Sequence, residues 1–176
     1  SPITFMEKSA RDARKQIPLL QWPDFSVAQG SFRLHAHAGA LHVGESIGII
    51  GPNGIGKTTF VKTLAGMLTP EEGKLPQSIP VSYKPQYPEM IEGMRVEEYL
   101  RNEMGSQSSE LKHLLVEPLH LPALYEKEMQ HLSGGELQRV AIAAALGKDA
   151  PHVLLDEPSA HLDVEQRLLV AKTIRN

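Results

Sequence analysis

The apolar residues of this chain follow two different spacings, and these spacings divide it into predicted elements. Residues 32–38 read FRLHAHA, with an apolar side chain at every second position, which predicts a half-buried antiparallel strand. Residues 46–50 (SIGII) and 153–155 (VLL) form short apolar runs, and each predicts a buried strand. Residues 3–5 (ITF) and 79–83 (IPVSY) predict two further short strands.

Helical spacing appears between these strands. A helix over residues 60–65 is expected to end near Gly66, because glycine readily adopts the left-handed conformation that ends helices. Residues 87–132 combine short helical patterns with prolines and predict a helical insertion. Ser133 and Glu136 have the S-x-x-E spacing of a capping box and open the next helix. A last helix places apolar residues near one stripe, namely Val164, Leu168, Ala171 and Ile174.

This order of elements predicts an α/β fold with a mostly parallel core sheet, an N-terminal antiparallel β part and a helical insertion. The chain has 176 residues, of which 41% are hydrophobic, enough for one domain with a real core. A net charge of −3 gives no basic field for nucleic acid, and the absence of cysteine excludes disulfides and thiolate metal sites within these residues. No apolar run is long enough to span a bilayer and no signal peptide is visible, so we expect a cytoplasmic protein.

The stretch GPNGIGKTT, Gly51–Thr59, carries the most specific chemistry. It fits the phosphate-binding P-loop pattern G-x-x-x-x-G-K-[ST], and it stands between a predicted strand and a predicted helix, as that motif requires. Glycines let backbone N–H groups turn toward phosphate oxygens, and the helix adds the positive end of its dipole. Lys57 would contact the β- and γ-phosphates, and the Thr58 hydroxyl would ligate Mg²⁺.

Two carboxylates, Asp156 and Glu157, follow the apolar strand at residues 153–155. In an open parallel sheet, ligands lie outside the carboxyl ends of the strands, so both can lie beside the nucleotide phosphates. Asp156 would hold Mg²⁺, and Glu157 would orient or activate the attacking water. The alternative is that Asp156 and Pro158 only mark the start of a turn.

Taken together, these residues resemble an ABC-type ATPase domain. Its motifs occur in the expected order: the Walker A loop (51–59), the Q-loop glutamine Gln86, the signature LSGGELQ (132–138), the Walker B strand with its glutamate (153–157) and the D-loop (159–163). The segments SYKPQ and LLDEPSAHLDVEQR narrow the resemblance to the second nucleotide-binding domain of ABC subfamily E, the RNase L inhibitor or ribosome-recycling ATPases. This resemblance covers residues 30–176 well and the first 29 weakly.

The resemblance implies one ABC domain over residues 1–176, truncated at its C-terminus. Within it, we expect an N-terminal strand or linker (1–29), a β part with the P-loop core (30–86), a helical subdomain (87–132) and a last segment with the signature helix, Walker B and D-loop (133–176). A switch histidine would lie beyond the chain. We therefore expect weak or absent ATP hydrolysis from these residues alone.

The resemblance also implies roles for individual residues around ATP and Mg²⁺. Glu157 and Gln86 would be catalytic, and Thr58, Gln86 and Asp156 would bind Mg²⁺. The expected nucleotide-binding residues are Gly51, Asn53, Gly54, Ile55, Gly56, Lys57, Thr58 and Thr59, with Phe25 stacking on adenine. Phe32 and then Trp22 are the alternatives for that stacking role. The residues expected to face a nucleotide held by a second domain are Ser133, Gly134, Gly135, Glu136 and Gln138, with Asp163 touching across the interface.

The implied function is ATP binding and hydrolysis in a ribosome-splitting ATPase. The partners that the resemblance implies are a second ABC domain in the same full-length chain, the small ribosomal subunit and a release factor, with no membrane partner. The main alternative is the ATP-binding subunit of an ABC membrane transporter. A subfamily F translation factor or a DNA-repair ATPase is a further alternative, although neither a coiled coil nor a long linker insertion is present in the sequence.

Overall fold

The computed structural model describes residues 4–5, 18–75, 81–86, 88–105 and 109–175 of the chain. These residues form two compact units, and the division between them falls after residue 79. Each unit has buried apolar residues of its own. The first two residues of the strand predicted over 79–83 lie outside the described residues, whereas its remainder is present in the second unit.

The described part of the first unit contains three antiparallel strand pairs. They are β1 (Thr4–Phe5) with β6 (Ile49–Ile50), β2 (Pro18–Trp22) with β5 (Gly39–His42), and β3 (Phe25–Gln29) with β4 (Phe32–Ala36). The alternation predicted around β4 is confirmed, since Leu34 is buried while Arg33 and His35 on either side are exposed. The antiparallel β part expected near the N-terminus is therefore present.

Aromatic side chains form the centre of the first unit. Phe60, on helix α1 (Lys57–Leu64), is stacked on Phe25 with ring centroids 5.8 Å apart, and Trp22 meets it edge-on at 5.7 Å. The Trp22 indole nitrogen donates a 2.9 Å hydrogen bond to the His37 carbonyl. Burial of such rings stabilises a fold by roughly 1.5–3 kcal/mol each. This cluster holds α1 against the strands of its own unit.

Helix α1 ends as its sequence predicts. Gly66 has a φ of 72°, in the left-handed region. Its N–H donates to the Thr63 carbonyl at 3.0 Å, and the Met67 N–H donates to the Lys62 carbonyl at 2.9 Å. These two bonds make up a Schellman motif, which satisfies carbonyls that the helix end would otherwise leave unpaired.

The second unit contains a parallel strand pair, β7 (Val81–Lys84) and β8 (His152–Leu155). Lys84 lies opposite Leu155, so the two strands end side by side. The residues that follow, Gln86 after β7 and Asp156 after β8, therefore emerge at the same edge. The Asp156 N–H continues the pairing by donating to the Lys84 carbonyl at 3.0 Å.

Helices form the rest of the second unit. They are α2 (Val96–Met104), α3 (Ser109–Val116), 3-10 turns at Pro122–Leu124 and Met129–His131, and α4 (Gly134–Gly147). Helix α4 contacts α2, α3, β7 and β8, and its residues Val140 and Ile142 are fully buried. The Arg139 guanidinium extends this packing with a 2.7 Å hydrogen bond to the Leu119 carbonyl. The expected helical insertion is thus anchored on the central helix α4.

The last helix, α5 (Val164–Arg175), packs on α4 with a different face from the one predicted. Val164 and Leu168 are 73% and 61% exposed, whereas Val170 and Thr173 are buried. Ala171 is exposed as well, so the predicted stripe is wrong for Val164, Leu168 and Ala171. The contact with α4 uses positions turned away from these three residues. Among the helices that the structure describes, none is both long and apolar enough to cross a membrane.

Candidate active site

The P-loop has the backbone that phosphate binding requires. Gly54 and Gly56 have φ angles of 79° and 107°, a region that side chains with a Cβ disfavour. Space also demands glycine at residue 56, since a Cβ there would lie 2.9 Å from Phe32 Cζ and 3.1 Å from Leu34 Cδ1. Ile55 packs back on the start of the loop, with its Cγ2 3.2 Å from where a Cβ on Gly51 would lie.

Gly56 precedes the first residue of α1, so the loop leads directly into a helix N-terminus. The described first turn consists of Lys57 and two threonines and carries no acidic side chain, which leaves the positive end of the helix dipole available to an anion. The Lys57 ammonium donates to the carbonyls of Gly51 and Pro52 at 2.8 and 3.0 Å. It therefore lies over the loop whose amides would bind phosphate.

Thr58 and Thr59 follow Lys57 but lie in different environments. Thr58 is half-buried, whereas Thr59 is buried and its hydroxyl donates to Gln29 Oε1 at 3.3 Å. The Thr59 side chain thus ties α1 to strand β3, which leaves its backbone N–H as the group suited to phosphate contact. Asn53 is exposed at the tip of the loop.

The structure corrects the expected adenine contact. Phe25 is 3% exposed and its ring is stacked on Phe60, so it has no free face for a base. Trp22 is excluded in the same way, because it is buried against Phe60. Phe32 is only half-buried, and its ring lies against Gly56 of the P-loop. Of the three aromatic candidates, Phe32 is the one that burial allows to stack on adenine.

The Q-loop and the Walker B segment meet at the carboxyl ends of β7 and β8 in the second unit. The Gln86 side-chain amide donates a 2.8 Å hydrogen bond to the Glu157 carboxylate. Glu157 has a φ of 45° and precedes a proline, which is an unfavourable backbone for a non-glycine residue. Residues held in such conformations are concentrated at active sites. The two residues expected to be catalytic are thus brought together.

Asp156 lies beneath this pair and is 4% exposed. The Tyr83 hydroxyl approaches its Oδ2 at 3.4 Å. Burial raises the pKa of Tyr83 to about 12, and the neighbouring Asp156 carboxylate adds to that shift. Tyr83 therefore remains a neutral hydrogen-bond donor. A buried carboxylate at a strand end is suited to a divalent cation, which prefers such hard oxygen ligands.

The signature segment begins helix α4 with a complete capping box. The Glu136 N–H donates to the Ser133 hydroxyl at 3.3 Å, and the Ser133 N–H donates to the Glu136 carboxylate at 2.9 Å. Lys127 contacts that carboxylate at 2.8 Å; its hydrogen bond is the largest influence lowering the pKa of Glu136. Ser133 and Gly134 are exposed and Gly135 is half-buried, so this helix end can be reached from outside.

Gln138 does not belong to that accessible surface, which corrects a second expectation. It is 1% exposed, and its amide bonds to Lys84 and to the Gln86 carbonyl at 2.7 and 3.0 Å. It cannot face a nucleotide on another domain, because α4 turns it into its own unit. Lys84, a residue to which no role was assigned from the sequence, is also 1% exposed. The signal in the sequence is a lysine directly after the predicted strand 79–83 and two residues before Gln86.

The D-loop packs against the signature glycines. His161 has a φ of 60°, and its Cβ and Cγ lie 3.2 Å from where a Cβ on Gly134 would be. Asp163 is exposed, and its carboxylate caps α5 by accepting the Gln166 N–H at 2.8 Å. Asp163 therefore has a local structural role, and its contact across an interface stays a prediction.

Comparison with known proteins agrees with this geometry. The family described as ABC transporter matches residues 34–160. An uncharacterised ABC transporter ATP-binding protein of Methanocaldococcus jannaschii is 48% identical over 99% of this chain and 29% of its own length. The translation initiation factor RLI1 of Saccharomyces cerevisiae is 41% identical over 88% of this chain and 26% of its own length.

A solved structure gives the same result. The archaeal ribosome recycling factor aABCE1, in complex with the ribosomal stalk protein aP1, has a TM-score of 0.86 at 49% identity, covering 97% of this chain and 34% of the solved one. This chain thus spans about a third or less of each of these three relatives. The predicted resemblance to subfamily E is confirmed, whereas the assignment to its second nucleotide-binding domain stays a prediction. The chain belongs to the ABC family of ATPases, has its P-loop fold and is similar to members of subfamily E; domains of this family bind ATP with Mg²⁺ and hydrolyse it.

Proposed function

We propose that this chain is an ATP-hydrolysing domain of a ribosome-splitting ATPase. The observation that carries the proposal is the similarity, over nearly the whole chain, to proteins described as a ribosome recycling factor and a translation initiation factor. Structures of transporter ATP-binding domains resemble it too, but at 21–25% identity that likeness reflects the shared fold. The zinc import ATP-binding protein ZnuC of Psychrobacter arcticus is 38% identical over 84% of this chain, so the transporter is the alternative against which the proposal is tested. A cytoplasmic location is part of the proposal, because translation takes place there.

The P-loop would bind the triphosphate of ATP. The glycines with positive φ orient backbone N–H groups, and Lys57 would exchange its bonds to the Gly51 and Pro52 carbonyls for bonds to phosphate oxygens. Phe32 would stack on the adenine. The remaining contacts in this proposal come from Asn53, Gly54, Ile55, Gly56, Thr58 and Thr59.

Thr58, Gln86 and Asp156 would hold Mg²⁺. Hydroxyl, amide and carboxylate oxygens are the hard donors that this ion prefers, so the set of residues fits it. When bound, Mg²⁺ would neutralise charge on the phosphates. Glu157 would orient the attacking water and accept its proton. The 2.8 Å bond from Gln86 fixes the rotamer of Glu157, which suits a carboxylate that must point at one water molecule.

The exposed start of α4 would complete a nucleotide site on a second ABC domain. Ser133, Gly134 and Gly135 present a hydroxyl, backbone N–H groups and a helix N-terminus, which together favour a γ-phosphate. Glu136 would support that surface through the capping box, and Asp163 would contact the same partner domain. ATP would hold the two domains together through its γ-phosphate, and hydrolysis would remove the contact between this phosphate and the start of α4.

The proposed macromolecular partners are the small ribosomal subunit and a release factor. Solved relatives include one bound to a ribosomal stalk protein and one described as ribosome-bound together with archaeal Pelota. These descriptions belong to those proteins, and they motivate the corresponding partners here. A splitting ATPase needs such contacts in order to transmit domain closure to the ribosome.

Cosedimentation tests this proposal. The full-length protein is centrifuged with small ribosomal subunits or with membrane vesicles, in the presence of ATP or ADP, and the variant Lys57→Ala is the matched control. We expect ATP-dependent pelleting with small subunits and its loss in the control. Nucleotide-dependent association with vesicles alone would instead support the transporter alternative and contradict ribosome splitting.

A further inference from the structure

A buried lysine occupies the centre of the second unit, beside the Gln86–Glu157 pair. Lys84 is the last residue of β7 and is 1% exposed. Its ammonium donates to the Pro85 carbonyl at 2.8 Å and to Gln138 Oε1 at 2.7 Å. A buried ammonium is costly unless oxygens surround it, so such a lysine is rarely retained for packing alone.

Hydrogen bonds continue from this lysine to the candidate catalytic carboxylate. Gln138, on helix α4, accepts from Lys84 through Oε1 and donates through Nε2 to the Gln86 carbonyl at 3.0 Å. The Gln86 side chain in turn donates to Glu157 at 2.8 Å. Four residues from β7, α4 and the segments after β7 and β8 thus form one continuous chain of hydrogen bonds.

Lys84 and the Gln86 carbonyl together set the direction of this chain of hydrogen bonds. The oxygen and nitrogen ends of a glutamine amide are nearly the same in shape, so packing alone does not decide which one faces which neighbour. Lys84 carries only donors and therefore requires the Gln138 oxygen on its side. The amide nitrogen must then face the Gln86 carbonyl. An apolar residue in place of Lys84 would leave the Gln138 oxygen without this donor, and only the bond to the Gln86 carbonyl would then orient the amide.

We propose that Lys84 is a positioning residue for ATP hydrolysis: by orienting the Gln138 amide it holds the Q-loop backbone, so that Gln86 presents its side chain to Glu157. The proposal rests on the proposed ATPase function. It assigns Gln138 a role within its own unit, linking the signature helix α4 to the Q-loop. Motion of α4 would then be transmitted directly to Gln86.

Three substitutions in the full-length protein test this. Lys84→Met removes the donor at similar length, and Gln138→Leu removes both bonds of the amide. Gln138→Glu is the sharper change, because an ionised glutamate still accepts from Lys84 but has no donor for the Gln86 carbonyl. Lys148→Met is the matched control, since this exposed lysine pairs with Glu103 at 3.2 Å away from the chain of bonds.

Two measurements are made on each variant. Hydrogen–deuterium exchange, without nucleotide, reports on the segment 81–86. Single-turnover formation of ADP, with and without Lys57→Ala, gives by difference the ATP hydrolysed at this P-loop. We expect faster exchange in all three variants, about tenfold slower hydrolysis at this site with ATP affinity kept, and no further loss in the double variant Lys84→Met/Gln138→Leu. The Lys148→Met control should match the unsubstituted protein.

Unchanged exchange and hydrolysis in Gln138→Glu would overturn the proposal, because the lysine would then only stabilise the fold. Losses that multiply in the double variant would also overturn it, since the two residues would act independently. If the unsubstituted protein forms no ADP at this P-loop, the proposed function fails instead. The exchange data still decide the role of Lys84 in that case, because they require no nucleotide.

Discussion

The two roles assigned to Ser133 can be separated by substitution. In the structure its hydroxyl accepts the Glu136 N–H at 3.3 Å and caps helix α4. Ser133→Ala removes that acceptor, which costs about 0.5–2 kcal/mol at a helix N-cap. Because the bond is long and the Ser133 N–H still reaches Glu136 at 2.9 Å, we expect the lower half of that range. A loss of about 1 kcal/mol lowers the Tm of a domain of this size by roughly 2–4 °C, so the shift is expected in the unfolding transition of this domain.

Ser133→Asp should preserve the stability of the domain but prevent its closure on the second domain. Aspartate caps helices as well as serine does, so stability should stay within about 0.5 kcal/mol of the unsubstituted protein. The added carboxylate would nevertheless face the γ-phosphate held by the second domain. Two unit charges 4 Å apart repel by about 4 kcal/mol near a protein surface, enough to prevent closure. Ser133→Asn is the matched control, because asparagine has the shape of aspartate and caps helices equally well but carries no charge.

Thermal unfolding and ATP-dependent pelleting with small ribosomal subunits, each on the full-length protein, decide between the roles. We expect the aspartate variant to unfold at the normal temperature and to lose the ATP response. The asparagine variant should keep most of that response, and the alanine variant should be destabilised. Normal ATP-dependent pelleting by Ser133→Asp would refute the reasoning and leave Ser133 as a helix cap only.

Three further predictions concern single residues. Lys57→Ala should weaken ATP binding by roughly 1–3 kcal/mol, as for loss of a charge-assisted contact; unchanged affinity in calorimetry would contradict the P-loop assignment. Gly56→Ala should destabilise the protein more than Gly66→Ala, because both glycines have positive φ but only Gly56 is crowded by Phe32. Equal losses of unfolding free energy in urea would refute this. Burial raises the pKa of Tyr99 from 10.0 to about 12, so the folded state holds a proton that the unfolded state loses in that window. The free energy of unfolding should therefore fall as the pH rises from 10 to about 12, and it should fall less in Tyr99→Phe. Denaturant unfolding of both proteins at these two pH values checks this.

Local sequence patterns predicted those features that depend on neighbouring residues. The helix that follows the P-loop, the end of α1 at Gly66 and the capping box at Ser133 are all present. Each depends on a glycine conformation or on a side chain reaching the backbone a few residues away. The strand before the P-loop is shorter than predicted and is not buried, since β6 covers only Ile49–Ile50 and Ile50 is 70% exposed. The motif order also predicted the family correctly, because five spaced motifs together are far more specific than any one of them.

Residues whose role depends on packing were not predictable in the same way. Distance along the chain suggested Phe25 for adenine stacking, but tertiary contacts place that ring on Phe60. Membership in the signature motif suggested that Gln138 faces outward, but Gln138 lies on the side of α4 that faces its own unit and is buried there. The partner of Lys84 lies 54 residues away along the chain, and a pairing over such a distance has no local signal.

The nucleotide retained by Glu157→Gln tests the central claim most directly. This substitution keeps an acceptor for Gln86 while removing the carboxylate that would take a proton from water. After incubation of the full-length protein with Mg²⁺ and ATP and rapid removal of free nucleotide, we predict that the variant retains ATP. Addition of Lys57→Ala should abolish this retention, which assigns the ATP to this P-loop. Conversion of that nucleotide to ADP at the rate of the unsubstituted protein would contradict the account.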